Sequence, residues 1–570
     1  MSIKNPDKSR ALRVPSGLFP LVNLLTAVLG VLALFFLFTG AIPFAQWGWA
    51  ADVSKGLSVK FMRVSFSLFI ASLTSFYLFP AEQKNRFWIN RIFQGWMRSP
   101  LKPAVILVYI LYCAILCIVN LKRHEVFGTR AFDLGIFNQA VWNTLHGDFL
   151  YSSLKGGICL LGDHVSPLLA LIAPVYAFWQ KPEMLIVFQV LVSALNLFFI
   201  ARIAKEKLND PFAVWVVVLI YFFYAPTRNA LHEDFHPEKL VEPLIFMAFM
   251  FIEKKRVLPF LLCLPVIASA KENMLGITFI LGFYAAVFKK ERMTGALVMA
   301  VSVIVFWLEI HWFVPWLTGK PYFYGGVYTD IASPLAFAGR LFSVDSLEYM
   351  AKIFGPFLFL QLFHPAVLIL TFPVLFQNLL AANPLARSIG YHYTIGMTPF
   401  IFTGAIYGGA VICEKFPFMK NKKAGLGAVL LFMGIMQSGP SEYYSWWQMQ
   451  KIHNREEAHF NEIRPKLTAI PARFSVLTHN NFVPPISGRK YVYMFEYSGL
   501  KMKADQVREL QPDYVIFDRR YWEGFTPIEA FPASLHSLGY VPDWESDGFS
   551  IYKKALSVNA KSESGHSRNL

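Results

Sequence analysis

The chain reads as an α-helical polytopic membrane protein that carries a small α/β soluble domain toward its C-terminal end. Three observations lead there. Of 570 residues, 55% are hydrophobic and only 16% charged, against roughly a quarter charged in an ordinary soluble domain. The apolar residues come in blocks near the roughly 20 residues that a helical crossing needs, among them Leu18–Gly40, Phe61–Pro80, Pro103–Asn120, Met184–Ile203 and Ala296–Phe313. From about Ser441 onward the composition becomes that of a soluble domain.

The first apolar block follows Lys4, Lys8, Arg10 and Arg13, as a secretory signal would, but it is too long for that role and lacks a small-residue cleavage site, so it reads as a retained helix. The five cysteines show neither disulfide-framework nor metal-ligand spacing. A net charge of +16 would suggest nucleic acid in a soluble protein, but in a membrane chain basic residues mark the cytoplasmic loops, and no nucleic-acid partner is expected. They crowd the N-terminus, Lys84–Lys102, Arg202–Lys207, Glu253–Arg256, Lys289–Arg292 and Lys415–Lys423.

Threaded with those turns inside, residues 1–102 form two N-terminal crossings and a basic cytoplasmic loop, and Pro103–Asn120 then delivers Arg123–Asp163 to the outside. Val165–Trp179 is short for a span and is laid along the outer surface. Met184–Ile203 goes in, Phe212–Ala225 out, Leu240–Ile252 in, Val257–Ala270 out and Met274–Phe288 in. This path leaves Arg123–Asp163, Thr227–Lys239 and Lys271–Asn273 together outside. A further outside loop runs from Trp316 to about Tyr349. Ile353–Leu380 is interrupted by His364-Pro365, and only a broken hairpin there keeps the C-terminal domain outside. The membrane core thus spans 103–440 and the soluble α/β domain 441–556, with strands expected at Phe474–Thr478, Tyr491–Phe495, Tyr514–Phe517 and Phe549–Tyr552. Residues 557–570 are expected to be a disordered tail.

Phosphate-loop, dinucleotide, zinc-protease and nucleophile-elbow motifs are absent from the sequence, so chemistry must come from residues in the outside loops. The first cluster holds Asp133, Gln139 and Trp142, followed by Asp163-His164. A helix over Asp133–Leu145 would place Phe132, Ile136 and Ala140 on a membrane-facing stripe, with Asp133 at its start as a cap or as a catalytic carboxylate. The second holds Arg228, His232, Glu233, Asp234, His236 and Glu238; Pro237 argues against a helix carrying His236. The third is Lys271-Glu272, where unpaired charge is expensive, so the two either pair with each other or Lys271 meets a phosphate. The fourth is Arg387 with His392. Acids, histidines and three basic side chains on one face are what a lipid-phosphate-linked substrate would require.

The runs FDLGIFNQAVWNTLHG, DHVSPLLALIAPVYAF, FHPEKLVEPL, KENMLGITFILG, HYTIGMTPFIF and IPARFSVLTHNNFVPPISGRKYVYMF resemble the domain of unknown function 2079 family of multi-pass membrane proteins, from about Pro103 to Asp518. That family resembles a distant branch of the GT-C superfamily of membrane glycosyltransferases. The resemblance implies a GT-C-like core of about 11–13 crossings, a location in the bacterial inner membrane or its equivalent with the active face outside, membrane lipids as partners, and a polyprenyl-phosphate-linked sugar donor. It implies Asp133 as the base toward an acceptor hydroxyl, with Asp163 and His164 replacing a missing second acid. Gln139, Trp142, Arg228, His232, His236, Lys271, Glu272, Arg387 and His392 then fall to substrate binding, with Lys271, Arg228 or Arg387 at the phosphate. The superfamily's acidic pair is lacking, since Leu134 and Gly135 follow Asp133. Catalysis without metal is therefore plausible, and a divalent metal (Mg or Mn) would look to Glu233, Asp234 and Glu238. A transporter or flippase, whose ionisable groups usually lie at the bilayer midplane, and a non-catalytic envelope assembly protein are the alternative readings.

Overall fold

A computed structural model of the chain describes residues 101–324, 333–416, 427, 430, 458–495, 503–521 and 528–555. The two N-terminal crossings, nearly all of the loop Lys84–Lys102 and the tail from Ser557 lie outside the described residues. The described protein is mostly helical, with a five-stranded sheet in its C-terminal part.

Among the described residues four helices are long and apolar enough to cross a membrane: Val105–Glu125, Pro182–Leu208, Arg292–Thr318 and His392–Lys415. The pair Pro211–Phe223 and Ala225–His232, bent by 43°, meets the same criterion only when the two helices are taken together. Asp210 opens that pair by accepting the Ala213 amide at 3.0 Å, with Pro211 in the first turn where a missing N–H costs nothing. The bend falls at Tyr224, just before Pro226, which cannot continue the ladder. Shorter apolar helices are Val257–Ala268, Met274–Phe288 and Pro365–Leu380.

Helix packing is close where side chains are small. Met274–Phe288 and Arg292–Leu308 meet at Gly282 and Gly295, where a Cβ on Gly295 would overlap the Gly282 carbonyl oxygen and the Ala286 backbone. The expected interruption at Ile353–Leu380 is present: Val344–Phe354 ends, Leu358 and Phe359 adopt left-handed backbone, and a new helical run starts at Pro365.

Among the described residues, the basic turns Arg202–Lys207, Glu253–Arg256 and Lys289–Arg292 gather at one end of the helix bundle. Glu253 accepts from Tyr284 and Tyr407 and pairs with Lys289, Lys254 pairs with Glu206 at 3.0 Å, and Lys255 with Glu291 at 3.6 Å. Helices Glu242–Glu253 and Met274–Phe288 start at the polar segments Pro237–Leu240 and Lys271–Asn273 and end at these basic turns. At about 1.5 Å per residue they separate the two ends by roughly 20 Å.

At the polar end the loop after Leu101–Glu125 forms a π-helical turn Ala131–Gly135, the helix Ile136–Leu145, and a hairpin of β1 (Tyr151–Ser152) and β2 (Ile158–Cys159). Within Val165–Trp179, which is too short to span, Leu168–Tyr176 forms a separate short helix. The stripe expected to rest on the membrane does not: Ile136 and Ala140 are buried in the protein core, and only Phe132 is exposed. Asp133 is not a cap either, because the helix proper starts after Gly135 without a side-chain cap.

The C-terminal sheet holds β3 (Val476–Thr478), β4 (Val492–Met494), β5 (Tyr514–Asp518), β6 (Tyr540–Ser546) and β7 (Phe549–Lys554) in the order β4-β3-β5-β7-β6. β3 runs parallel to β4 and β5, and β7 pairs antiparallel with β5 and β6. Its central strands are buried on both faces. One face packs on Val507, Phe531 and Leu535 of the helices Lys503–Leu510 and Phe531–Ser537. The other packs on the helix 458–468 and on Val126, Phe127 and Ala131 of the membrane body. The soluble domain therefore shares a core with the first polar loop and sits at the polar end of the bundle. Four strands match the sequence reading. β6 escaped it because Pro542 interrupts the pattern, which an edge strand with a register shift between Pro542 and Trp544 tolerates.

Candidate functional site

Four chain segments converge at the polar end. The π-turn presents Asp133, whose Oδ1 lies 3.8 Å from His236 Nε2. His236 is extended, as Pro237 requires of its predecessor, and is buried between elements. Glu233 Oε2 lies 3.9 Å from His236 Nε2 and 3.0 Å from His392 Nδ1, and it also accepts the His392 amide at 2.5 Å. The imidazoles of His236 and His392 stack with centroids 3.5 Å apart. Lys271 Nζ meets Glu238 Oε1 at 3.2 Å.

Beside this group, Glu272 is buried and bound by His164 Nδ1 at 2.8 Å, the Val165 amide at 3.0 Å and the Tyr322 hydroxyl at 2.6 Å. Asp163 pairs with Lys155 at 2.8 Å and accepts from the Tyr324 hydroxyl at 3.3 Å, while Tyr324 stacks on His164. Lys271 and Glu272 thus find separate partners instead of each other.

Burial dominates the electrostatics. Asp133 keeps 34% of its side-chain surface, yet protein crowds it from most directions. Its pKa is pushed up to about 6 by that burial, with His392 and Lys271 opposing and Asp234 and Glu233 reinforcing the rise. His236 is held well below the ordinary imidazole range by burial and by His392, Lys239, Lys271 and His164, so it is neutral at pH 7. Burial would raise Glu233, Glu238 and Glu272. It is overridden at Glu233 by His392, at Glu238 chiefly by Lys271, and at Glu272 by His164, Lys271 and Tyr322, so all three titrate below their usual range. Burial would lower Lys271, but Glu238 and Glu272 more than compensate and keep it charged.

Glu233, His236 and His392 each offer a ligand atom within 4.8 Å of the others. His236 Nε2 is buried and has no hydrogen-bond partner among the described residues, which suits a metal bond. Five carboxyl groups (Asp133, Glu233, Asp234, Glu238, Glu272) face three basic side chains (Arg123, Lys239, Lys271), a balance that favours a cation.

Other residues singled out from sequence stand elsewhere. Asp234 binds Arg123 at 2.7 Å and the Arg130 amide at 2.8 Å, and Glu238 is taken by Lys271, so of the three acids named for metal only Glu233 is in the ligand group. His232 contacts Asn120 at 3.0 Å, and Arg228 lies on the same helix, Ala225–His232. Arg387 donates to the carbonyls of Leu379 and Ala381 and borders a cavity of about 140 Å³ with Asp345, Glu348 and Lys352. Gln139 is fully buried, bonded to Ser152, Ser153 and the carbonyls of Arg489 and Lys490; Trp142 stacks on His146 and packs beside Gly488. Lys239, Tyr322 and Tyr324 border the site without a local signal beyond their place in polar loops.

The family model described as predicted membrane protein (DUF2079) matches residues 123–550. The curated proteins contain no match. Among solved structures, ArnT from Cupriavidus metallidurans bound to undecaprenyl phosphate is similar at a TM-score of 0.47 and 9% identity, over 79% of this chain and 98% of that one. The same protein in its apo state gives 0.45 and 10%, over 80% and 99%.

Proposed function

The chain belongs to the DUF2079 family of predicted membrane proteins, and from that premise we propose that it is a GT-C-type glycosyltransferase, moving a sugar from a polyprenyl-phosphate carrier to an acceptor hydroxyl. The observation that carries this reading is Asp133, a recessed carboxyl group raised to about 6 beside His236 and Lys271 at the polar end of a membrane bundle. A base for hydroxyl activation is most effective with a pKa near the working pH.

The acceptor oxygen attacks the anomeric carbon while Asp133 takes its proton. The bond from that carbon to the carrier's phosphate oxygen breaks, and polyprenyl phosphate leaves with the electron pair. Lys271, charged and next to the site, stabilises the phosphate as negative charge develops on it. Glu233, His236 and His392 would hold a divalent cation, which would supply further positive charge toward the leaving phosphate. Their nitrogen-rich set suits a zinc-like metal better than Mg or Mn. Tyr322 and Tyr324 hold Glu272 and Asp163 and so shape the wall beside Lys271.

The positive-inside rule puts the end with Arg202–Lys207, Glu253–Arg256 and Lys289–Arg292 in the cytoplasm, hence the site and the soluble domain outside. The test is turnover by purified protein in lipid nanodiscs: sugar-linked polyprenyl phosphate should be converted to free polyprenyl phosphate, and Asp133→Asn should abolish this with the fold intact. Full turnover by that variant would remove Asp133 as the base.

A further inference from the structure

We infer that the C-terminal domain is part of the site itself, and that Asn480 is a positioning residue that sets where Asp133 points. This rests on the reading of Asp133 as the base. The π-turn that carries Asp133 closes through the Gly135 amide to the Arg130 carbonyl at 3.1 Å, a five-residue step that leaves the opening amides without partners in the turn. Two distant side chains take them. Asp234, from the membrane body, accepts the Arg130 amide at 2.8 Å, and Asn480, from the soluble domain, accepts the Ala131 amide at 2.7 Å.

Asn480 is placed for this by the sheet. It lies two residues after β3, at the carboxyl end of the parallel strands, and is buried. The next residues lock the junction: Phe482 packs edge-on to Phe127 with centroids 5.0 Å apart, and a Cβ on Gly135 would come within 3.0 Å of Val483 Cγ1. Ser487 accepts from Asn138 at 2.8 Å one turn further along the helix. Without the Asn480 oxygen the Ala131 amide is buried and unpaired, so the opening of the turn loses the bond that holds it in place. With Asp133 Oδ1 only 3.8 Å from His236 Nε2, a small shift of the loosened turn is enough to misplace the carboxyl group.

The experiment uses the full chain in nanodiscs with Asn480→Leu, which keeps the branched shape and removes the acceptor, and Asn480→Asp, which keeps the acceptor. Asp133 is labelled with a hydrophobic carbodiimide at pH 6 and quantified by peptide mass spectrometry, and turnover is measured alongside. Asn480→Leu should cut labelling several-fold and lower kcat by roughly ten- to a hundredfold at unchanged KM. Asn480→Asp should restore both. In an Asp133→Asn background, Asn480→Leu should cost nothing further. Unchanged labelling in Asn480→Leu, or losses that simply multiply with Asp133→Asn, would overturn the inference. Should the leucine variant not fold, Asn480→Ser withdraws the oxygen with less disturbance and carries the same expectations. If no sugar is transferred at all, the reading of function falls while the labelling still decides the role of Asn480.

Discussion

His236 and His392 lie face to face, 3.5 Å between ring centroids, although they come from loops 156 positions apart, with Glu233 within 4 Å of both. Two imidazolium rings could not stack so closely; a neutral His236 can, and its buried Nε2, without a hydrogen-bond partner among the described residues, can bind a cation in the tautomer that leaves this nitrogen unprotonated.

Metal binding is the first expectation to test on that arrangement. Protein stripped with chelator and re-exposed to zinc should retain about one ion per chain by elemental analysis, since a compact set of two imidazoles and a carboxylate is a sufficient ligand count. His236→Ala and His392→Ala should each weaken retention by more than roughly tenfold, because even outer partners of a metal ligand cost that much. Retention unchanged in both variants would show that the stacked pair serves packing alone.

Activity should depend on the protonation of Asp133. With its pKa at about 6, the carboxyl is protonated below that pH and cannot accept a proton, so kcat should climb as pH rises through about 6 and level off above. Asp133→Asn should lower kcat by roughly 10²- to 10⁴-fold, the usual contribution of a general base. A wild-type acid limb centred near pH 4 would contradict the burial argument.

Glu272 should matter for stability. It is buried and satisfies His164, the Val165 amide and Tyr322, so Glu272→Ala should cost about 3 kcal/mol, read as a lower thermal unfolding midpoint. Its pKa is depressed in the fold, so this contribution is complete above its ordinary 4.5 and fades as pH falls below that. At pH 3 the gap between wild type and variant should therefore narrow.

Gln139 should behave as a domain anchor. Its amide bonds Ser152, Ser153 and two carbonyls of the soluble domain. Gln139→Ala should destabilise docking by about 2 kcal/mol and speed limited proteolysis between the domains, while KM for the lipid donor stays unchanged. A selective rise in KM would instead return Gln139 to the substrate.

Much of this was legible in the linear chain. Hydropathy blocks and the placement of Lys and Arg sorted the loops into two faces, because membrane burial and charge are properties each segment carries by itself. His364-Pro365 marked the break, and four of the five C-terminal strands showed as short apolar runs. Asp133, His236, Lys271, Glu272 and His392 were named from residue type and from lying in loops of one face.

Only the tertiary structure decided which of them meet. Spacing could not pair Lys271 with Glu238 in preference to its neighbour Glu272, nor send Asp234 to Arg123 and the Arg130 amide while Glu233 turned to the two histidines. Nor could it join Asn480 to a turn 349 positions earlier. A segment's preference for lipid is local and additive, whereas the partner of a buried charge is whatever the packed helices bring within a few ångströms. The burial that lifts Asp133 is likewise a property of the assembled surroundings and not of the residue.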